Sequence, residues 1–365
     1  MHSPDILDAE TPAGGILIIA AGGIGDAILL AHLFPRFAGL AEDGEPVTLI
    51  LRADAGKAAF LFSGLAQVLT VNFGRLRSSF RYRRRVFQAL KRANYRRAIS
   101  ADYKRHPKLD EALILASGAQ NISAMKARPW SKYDRQLQRG EACFTRLYDS
   151  GPVLKDKILR WTGFAEWLGG GADSTGGEPV LNFAPERCPP AAAIGRPLII
   201  LAPFSAEKLK QSPAALYARI LDHVGGEFDV AITGAAADLD ANPDFKALLE
   251  RPNTAFDGAS FEVLAPRLRA ASLVIAADTA VMHLAVALGA PTLCLASAAY
   301  VGEIVPYAPE ISPANAHFIY TPMDCQSCLG TCVYPPDAGM YPCVAAIDAV
   351  QVLEKIDAIL KRGGQ

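Results

Sequence analysis

Short apolar segments alternate with helical stretches in two successive series, and this alternation restricts the fold more than any other feature of the sequence. Apolar runs of this kind are typical of strands that are buried on both faces of a parallel sheet. The first series predicts strands at Ile16–Ala20, Val47–Leu51, Val68–Val71 and Ala98–Ser100. The second predicts strands at Pro197–Ala202, Val230–Thr233, Leu273–Ala277 and Thr292–Leu295, with helices near 212–224, 239–249, 261–270 and 279–288. The sequence therefore predicts an α/β protein built from two parallel sheets wrapped by helices.

The two series indicate two domains, as expected for a chain of 365 residues. A segment rich in glycine and proline, from about Gly169 to Gly195, fits a linker between them. We predict an N-terminal Rossmann-like domain over 1–178, a C-terminal one over 190–345, and a final helix within 346–365. In open sheets of this class a ligand binds at the carboxyl ends of the strands, here in the cleft between the domains.

Composition excludes several classes of protein. Hydrophobic residues make up 51% of the chain and charged residues 20%, which excludes a disordered or coiled-coil protein. The 37 basic and 37 acidic residues cancel, so no overall field indicates a nucleic-acid partner. The N-terminus lacks the basic region of a signal peptide, and the apolar run Gly15–Phe34 is interrupted by glycines and Asp26. We therefore expect a cytoplasmic location.

The sequence Gly22-Gly-Ile-Gly25-Asp26 lies where the first strand turns into a helix. Glycines at this point let the backbone approach a ligand and leave amide N–H groups free at a helix N-terminus. A dinucleotide fingerprint is a weak alternative, because Ile28 stands where its third glycine belongs. Asp26 is either a capping residue or a general base for the reaction.

Three further motifs follow strands of the second series. Ser205 and Lys210 precede Pro213 at a helix start, a setting that suits phosphate oxygens. Asp238-x-Asp240 is a capping pair, a ribose-binding carboxylate or a metal pair. The most specific motif comprises Asp278, Thr279 and His283, with Asp278 placed to cap a helix that ends at Gly289. His283 is equally compatible with a packing role.

These motifs, in this order, resemble glycosyltransferase family 9, the ADP-heptose:lipopolysaccharide heptosyltransferases, over almost the whole chain. The resemblance implies a GT-B fold, with two Rossmann-like domains facing each other across a cleft and the C-terminal helix packing back on the first domain. It implies that Asp26 is the catalytic base, that Lys210 holds the donor pyrophosphate and that Asp238 contacts the nucleoside. It also places Asp278, Thr279 and His283 around the donor sugar and phosphates. The predicted substrate-binding set is completed by Gly23, Gly25, Ser205 and Ala280.

The implied reaction is an inverting transfer that requires no metal, in which the acceptor hydroxyl attacks the anomeric carbon opposite the departing ADP. Lys210, Ser205 and the helix that follows Asp278 would stabilise the leaving diphosphate. The chain departs from the family pattern at Ala20, Ser212, Ala280 and the segment Ser297–Tyr300. Three alternatives therefore stay open: another nucleotide sugar, a protein acceptor, or a non-catalytic homologue.

Four of the seven cysteines lie close together near the C-terminus: Cys325, Cys328, Cys332 and Cys343. Such a cluster in a loop-rich segment is typical of a closed structural metal site with four thiolate ligands. We expect a structural zinc or iron there, and no cofactor for the reaction itself. The alternative is a loop that holds reduced thiols.

The stretch from Arg75 to Arg139 carries 18 basic residues and four acidic ones, a local excess of +14. Part of it lies on a predicted helix near 80–93, for which the spacing of Phe80, Phe87 and Leu90 indicates the apolar side. Since the resemblance places the acceptor on the first domain, we expect an anionic glycolipid acceptor and peripheral contact with the inner membrane surface. The alternative is an ordinary solvated surface.

Overall fold

A computed structural model describes residues 3–171 and 180–363 of the chain. The chain divides into two compact units, Met1–Pro179 and Val180–Gln365. The predicted end of the first domain, residue 178, and part of the predicted linker lie outside the described residues. No helix among the described residues is both long and apolar enough to span a lipid bilayer.

The first unit contains a six-stranded parallel sheet with the strand order β3-β2-β1-β4-β5-β6. Its central strand β1 pairs with β2 and β4, so that Ile18 lies opposite both Leu49 and Ile99. All five residues of β1 are buried, as expected for a strand covered on both faces. The strands are β1 (Ile16–Ala20), β2 (Val47–Arg52), β3 (Gln67–Val71), β4 (Arg97–Ser100), β5 (Asn121–Met125) and β6 (Arg146–Tyr148).

Helices cover both faces of this sheet, and 3₁₀ segments occupy 55–62 and 141–143. Helix α1 buries an almost continuous apolar side against the sheet, because leucine, isoleucine and phenylalanine recur at helical spacing in it. The helices are α1 (Ile24–Ala38), α2 (Phe73–Ser78), α3 (Phe80–Ala93), α4 (Asp110–Ala116), α5 (Asp134–Gly140) and α6 (Lys157–Leu168).

The second unit repeats this topology with the strand order β12-β11-β10-β7-β8-β9. Its strands are β7 (Leu198–Ala202), β8 (Asp229–Thr233), β9 (Thr254–Asp257), β10 (Leu273–Ala277), β11 (Thr292–Leu295) and β12 (Ala316–Ile319). Its helices are α7 (Ala214–Val224), α8 (Ala236–Ala241), α9 (Phe261–Ala270), α10 (Ala280–Ala287), α11 (Pro342–Ala345) and α12 (Ala349–Gly363). Short 3₁₀ segments occupy 185–187, 208–210, 225–227, 243–250 and 298–300.

The strand order reverses once in each sheet, between β1 and β4 in the first and between β7 and β10 in the second. At such a point the loops leaving the two neighbouring strands turn to opposite faces of the sheet, and a crevice opens at the carboxyl ends. The loops after β1, β4, β7 and β10 are therefore the places where this fold positions functional residues.

The central strands lie where the sequence predicts them, whereas β5, β6, β9 and β12 were not predicted. These four strands carry polar or charged residues among the apolar ones, and most are only partly buried. The helix predicted over 239–249 is α8 followed by a separate 3₁₀ segment, because Pro243 interrupts the helical hydrogen bonding.

The final helix, α12, buries Val352, Ile356 and Ile359 in the hydrophobic core of the second unit. His223 of α7 and Asp357 of α12 form a hydrogen bond of 2.8 Å. The expectation that this helix packs on the first domain stays a prediction.

The predicted apolar side of α3 is wrong in part. The helix buries Tyr82, Val86, Leu90 and Ala93, whereas Phe80 is 79% exposed. The buried set follows an i, i+4, i+8, i+11 spacing that includes a tyrosine and an alanine, and the phenylalanines lie beside it. Phe80 is therefore left outside the core, and Phe87 packs against it only partly buried.

Candidate functional site

Asp26 lies in the first turn of α1, directly after β1 and its glycine turn. One of its carboxylate oxygens, Oδ2, accepts a hydrogen bond from the Gly23 N–H at 2.9 Å and so caps the helix. The other, Oδ1, accepts from the Lys157 ammonium at 2.5 Å. Both oxygens thus have partners on the protein, and a nearby cation stabilises the charged, basic form of the carboxylate.

A second carboxylate, Asp102, follows β4 on the other side of the reversal point in the first sheet. Its Oδ2 accepts from the Ala21 N–H at 2.5 Å. Burial, together with the negative charge of Asp26, raises the pKa of Asp102 to about 6, against the opposing effects of the Ala21 amide and the Lys157 charge. Asp26, Asp102 and Lys157 therefore form one electrostatically coupled group, of which the sequence predicted only Asp26.

The glycine turn before α1 is tightest at Gly22. A Cβ added there would lie 2.5 Å from the Asp26 side chain, whereas a Cβ at Gly23 would have no atom closer than 3.6 Å. Gly22 is therefore the position where a side chain would displace Asp26. Gly23, which was predicted as a substrate-binding residue, supplies the N–H that holds Asp26, and Gly25 lies within the first turn of α1.

Lys210 and Asp278 meet at the corresponding edge of the second sheet, after β7 and β10. The Lys210 Nζ donates to Asp278 Oδ2 at 2.8 Å, and it lies 3.8 Å from Glu207 Oε2. It also lies 4.0 Å from the centre of the Tyr300 ring. The ammonium is thus held by two carboxylates and one aromatic face, which fixes a positive charge at the ligand edge of the sheet.

Glu207 connects this lysine to the C-terminal segment of the unit. Its carboxylate accepts hydrogen bonds from the Tyr341 hydroxyl and, at 3.4 Å, from the Tyr300 hydroxyl. The Tyr341 backbone N–H also donates to the Leu209 carbonyl at 2.8 Å. The loop that carries Lys210 is therefore closed by residues far away in the chain, and sequence spacing gave no sign of Glu207, Tyr300 or Tyr341.

The prediction that Asp278 caps the next helix is wrong. The N-cap of α10 is Thr279, whose side chain makes no capping bond. Asp278 does not cap the helix because its carboxylate is directed to Lys210. The buried Thr279 hydroxyl has no hydrogen-bond partner among the described residues. A buried hydroxyl of this kind at a helix N-terminus is suited to an oxygen of a bound ligand. Ala280 follows as the first residue of α10.

His283 is buried on α10, and its Nδ1 lies 2.7 Å from the Tyr307 hydroxyl. Its Nε2 lies 4.0 Å from Asp278 Oδ1. The ring is therefore oriented by Tyr307 and faces the carboxylate that holds Lys210. The structure thus places three of the predicted donor-site residues next to one another: Lys210, Asp278 and His283.

Ser205 and Asp238 follow β7 and β8 but make local contacts. The Ser205 hydroxyl accepts from the Glu207 N–H at 3.2 Å, and Asp238 Oδ2 accepts from the Ala235 N–H at 2.8 Å at the start of α8. Asp240 pairs with Lys246 at 3.0 Å. In this structure the carboxylates of Asp238 and Asp240 thus serve a capping bond and an ion pair.

The four clustered cysteines lie beside this edge of the second unit. Cys343 and Tyr341 belong to a small apolar cluster that Leu209 and Cys332 contact. Burial, and then the neighbouring thiol of Cys332, raises the pKa of Cys325. The described residues contain no group of three or more histidine, cysteine or acidic side chains arranged to hold a metal ion.

Comparison with known proteins agrees with this architecture. A family model described as glycosyltransferase family 9 (heptosyltransferase) matches residues 54–329. A family 9 glycosyltransferase from Veillonella parvula has a similar structure, with a TM-score of 0.71 and 14% identity over 97% of this chain and 99% of that one.

Two Escherichia coli proteins are similar as well. The ADP-heptose heptosyltransferase II gives a TM-score of 0.63 at 16% identity, and the alignment covers 96% of this chain and 100% of that chain. Heptosyltransferase WaaC with ADP gives 0.65 at 15% identity, covering 94% and 99%. No curated protein matches the chain by sequence. The predicted GT-B fold is confirmed by these structural similarities.

Proposed function

Because the chain belongs to glycosyltransferase family 9, we propose that it transfers a heptose or a related sugar from an ADP-sugar to an anionic glycolipid, such as the lipopolysaccharide inner core. That it is a glycosyltransferase follows from the family. The finer assignment is supported chiefly by Lys210, whose ammonium is fixed beside Asp278 and the free Thr279 hydroxyl. Two of the similar structures are heptosyltransferases, and one of them contains ADP.

The donor diphosphate would bind at the N-terminus of α10, where free N–H groups and the helix dipole favour negative charge. Lys210 would neutralise the charge that develops on the leaving diphosphate. A fixed ammonium and a helix N-terminus at this point can perform the role that a divalent cation has in other transferases. Transfer would therefore proceed without a catalytic metal.

Asp26 would act as the general base for the acceptor hydroxyl. Its Oδ1 is held by Lys157 at 2.5 Å, so substrate binding must loosen that ion pair for the oxygen to receive a proton. Attack on the anomeric carbon from the face opposite the diphosphate inverts its configuration. The neighbouring Asp102, with its pKa raised to about 6, adds a negative potential that favours proton uptake by the group.

The acceptor would bind to the first unit, where loops that follow β4 and β5 carry cations and aromatic rings. Lys104 lies 4.9 Å from the centre of the Trp130 ring, and Trp130 and Tyr133 pack edge to face at 4.6 Å. Such a combination suits a sugar that carries phosphate or carboxylate groups. This observation favours an anionic glycolipid over a neutral acceptor or a protein.

The four cysteines, which the structure does not arrange as a metal site, would have to bring their sulfurs together to hold a structural zinc or iron that takes no part in transfer. The proposal depends on donor chemistry and spacing, because thiolates are the ligands that both metals accept. The ligands would be Cys325, Cys328, Cys332 and Cys343.

Substitution of Asp26 by asparagine tests the catalytic proposal. Asp26→Asn keeps an oxygen that can accept from the Gly23 N–H, so the helix cap survives while the base is lost. We expect kcat to fall by about 10² to 10⁴ and ADP affinity, measured by calorimetry, to stay within about twofold. Full activity of the variant would return Asp26 to a capping role.

Thermal shift with a panel of nucleotides tests the donor. ADP-heptose should stabilise the protein most, by RT ln(1 + [L]/Kd), and UDP-sugars, GDP-sugars and NAD should have little effect. Lys210→Ala should remove the stabilisation by ADP-heptose. Stabilisation by a UDP-sugar alone would assign another donor, and stabilisation without turnover would indicate a non-catalytic homologue.

A further inference from the structure

Helix α3 carries six basic side chains that no carboxylate of the described residues neutralises. Some other cations of the basic stretch are paired, such as Arg96 with Glu45 at 2.6 Å and the fully buried Arg105 with Glu111 at 3.4 Å. One helix thus carries six of the 18 basic residues of the stretch, none of them with a carboxylate partner among the described residues. The six residues are Arg81, Arg83, Arg84, Arg85, Lys91 and Arg92.

Beside these cations lies a cavity of about 480 Å³ between α3 and the end of α4, here called the α3–α4 groove. Its apolar lining comes from Phe80 and Phe87 on α3 and from Leu115 and Ala116 on α4. Arg83, Arg84 and Lys91 line it as well. The groove thus joins an open apolar surface to a cluster of positive charges.

Phe80 makes this surface unusual, because it leaves 79% of its area exposed next to the groove. A contiguous apolar surface that is bordered by cations without a carboxylate partner is typical of an interaction site. The same combination is favourable at a membrane surface. There the apolar ring enters the boundary between headgroups and acyl chains, and each basic side chain contributes electrostatic attraction to anionic lipid.

We propose that the α3–α4 groove docks the protein on the surface of an anionic lipid bilayer, with Phe80 inserted among the lipids and Arg83, Arg84 and Lys91 contacting their phosphates. The docking surface lies on α3 and α4 and does not include the Asp26 group. It deepens the proposed function, since it would hold the enzyme where a glycolipid acceptor resides. A nucleic acid would also attract the arginines, but phosphate backbone contacts alone would leave the apolar lining unused.

Co-sedimentation with lipid vesicles tests the proposal. Wild-type protein should bind vesicles of phosphatidylcholine with phosphatidylglycerol and should not bind pure phosphatidylcholine. Loss of one basic contact weakens such binding about fivefold, so the double variant Arg83→Ala/Arg84→Ala should bind roughly 25-fold more weakly. Phe80→Ala leaves the charge unchanged and should still weaken binding about tenfold or more, because the inserted ring is lost.

Arg219→Ala is the matched control, because Arg219 is an exposed arginine on α7 of the second unit, and it should bind like the wild type. Inorganic phosphate, added at constant ionic strength, should not compete if an intact bilayer is required. Competition by phosphate, wild-type binding of the Phe80→Ala or double variant, or preference for an oligonucleotide over vesicles would each overturn the proposal. The vesicles contain neither donor nor glycolipid, so this result is independent of whether the transfer reaction is correctly assigned.

Discussion

Replacing Asp102 by asparagine should stabilise the first unit at neutral and alkaline pH. The folded chain raises the pKa of Asp102 from 3.8 to about 6, so folding favours the protonated form. Below about pH 4 the group is protonated in both the folded and unfolded states and carries no penalty. As the pH rises to about 6, the unfolded state loses its proton first, and the free energy of unfolding falls. Above that pH the full penalty is present.

The size of the penalty follows from the shift. One pKa unit corresponds to about 1.4 kcal/mol, so the whole shift would be about 3 kcal/mol, and solvent screening at this partly exposed side chain reduces it to about 1–3 kcal/mol. Asp102→Asn removes the charge and keeps an oxygen for the Ala21 N–H. Stability should therefore rise by that amount at pH 8 and change little at pH 4.

Urea unfolding followed by tryptophan fluorescence measures this effect selectively, because all three tryptophans, Trp130, Trp161 and Trp167, lie in the first unit. With a slope of about 2 kcal/mol/M, the midpoint at pH 8 should rise by about 0.5–1.5 M. Asp149→Asn is the control, and it should lower the stability at pH 8 and not raise it. The Gly151 N–H and then Lys126 lower the pKa of that exposed carboxylate, so its charged form favours folding. An Asp102→Asn variant that is no more stable than the wild type at pH 8 would refute the coupling.

Three further predictions concern the glycine turn, the lysine loop and the cysteines. Gly22→Ala should lower activity by about 100-fold or more while Gly23→Ala retains it, because only the first added Cβ collides with Asp26; equal activities would contradict this. Tyr341→Phe should raise the donor KM roughly 3- to 10-fold at unchanged kcat, since a charged hydrogen bond behind Lys210 is lost; an effect on kcat alone would argue against positioning. Elemental analysis should find about one zinc or iron per chain, which Cys328→Ser removes together with thermal stability; metal-free protein of unchanged stability would refute the site.

The sequence predicted the centre of each sheet better than its edges. Strands such as Leu273–Ala277 are apolar throughout because both faces are covered, and that pattern is visible in the chain itself. Strand β6, Arg146–Tyr148, is short and partly exposed, so its residues carry no alternation that separates it from a loop. Tertiary pairing with β5, and not local propensity, determines that it is a strand.

The candidate site shows the same division. Asp26, Lys210 and Asp278 could be predicted because each lies in the segment after a recognisable strand and belongs to an ordered set of motifs. Asp102 and Lys157 could not, because their importance depends on which distant residues the fold brings next to them. Asp278 was assigned the wrong partner for a related reason. The capping prediction considered only neighbouring residues in the sequence. In the structure the Asp278 carboxylate binds Lys210, which lies 68 residues away in the chain.

The closure of the Lys210 loop by Tyr341 has a consequence for biosynthesis. Glu207 and Tyr341 are separated by 134 residues, which a ribosome needs roughly 7 to 27 s to add. A nascent chain that ends just before Tyr341 already contains Lys210 and its partner Asp278, yet the Glu207 carboxylate still lacks the Tyr341 hydroxyl that closes the loop. Nonsense mutations between codons 291 and 341 would therefore produce chains that keep the motifs of the family and lack the residue that closes the Lys210 loop.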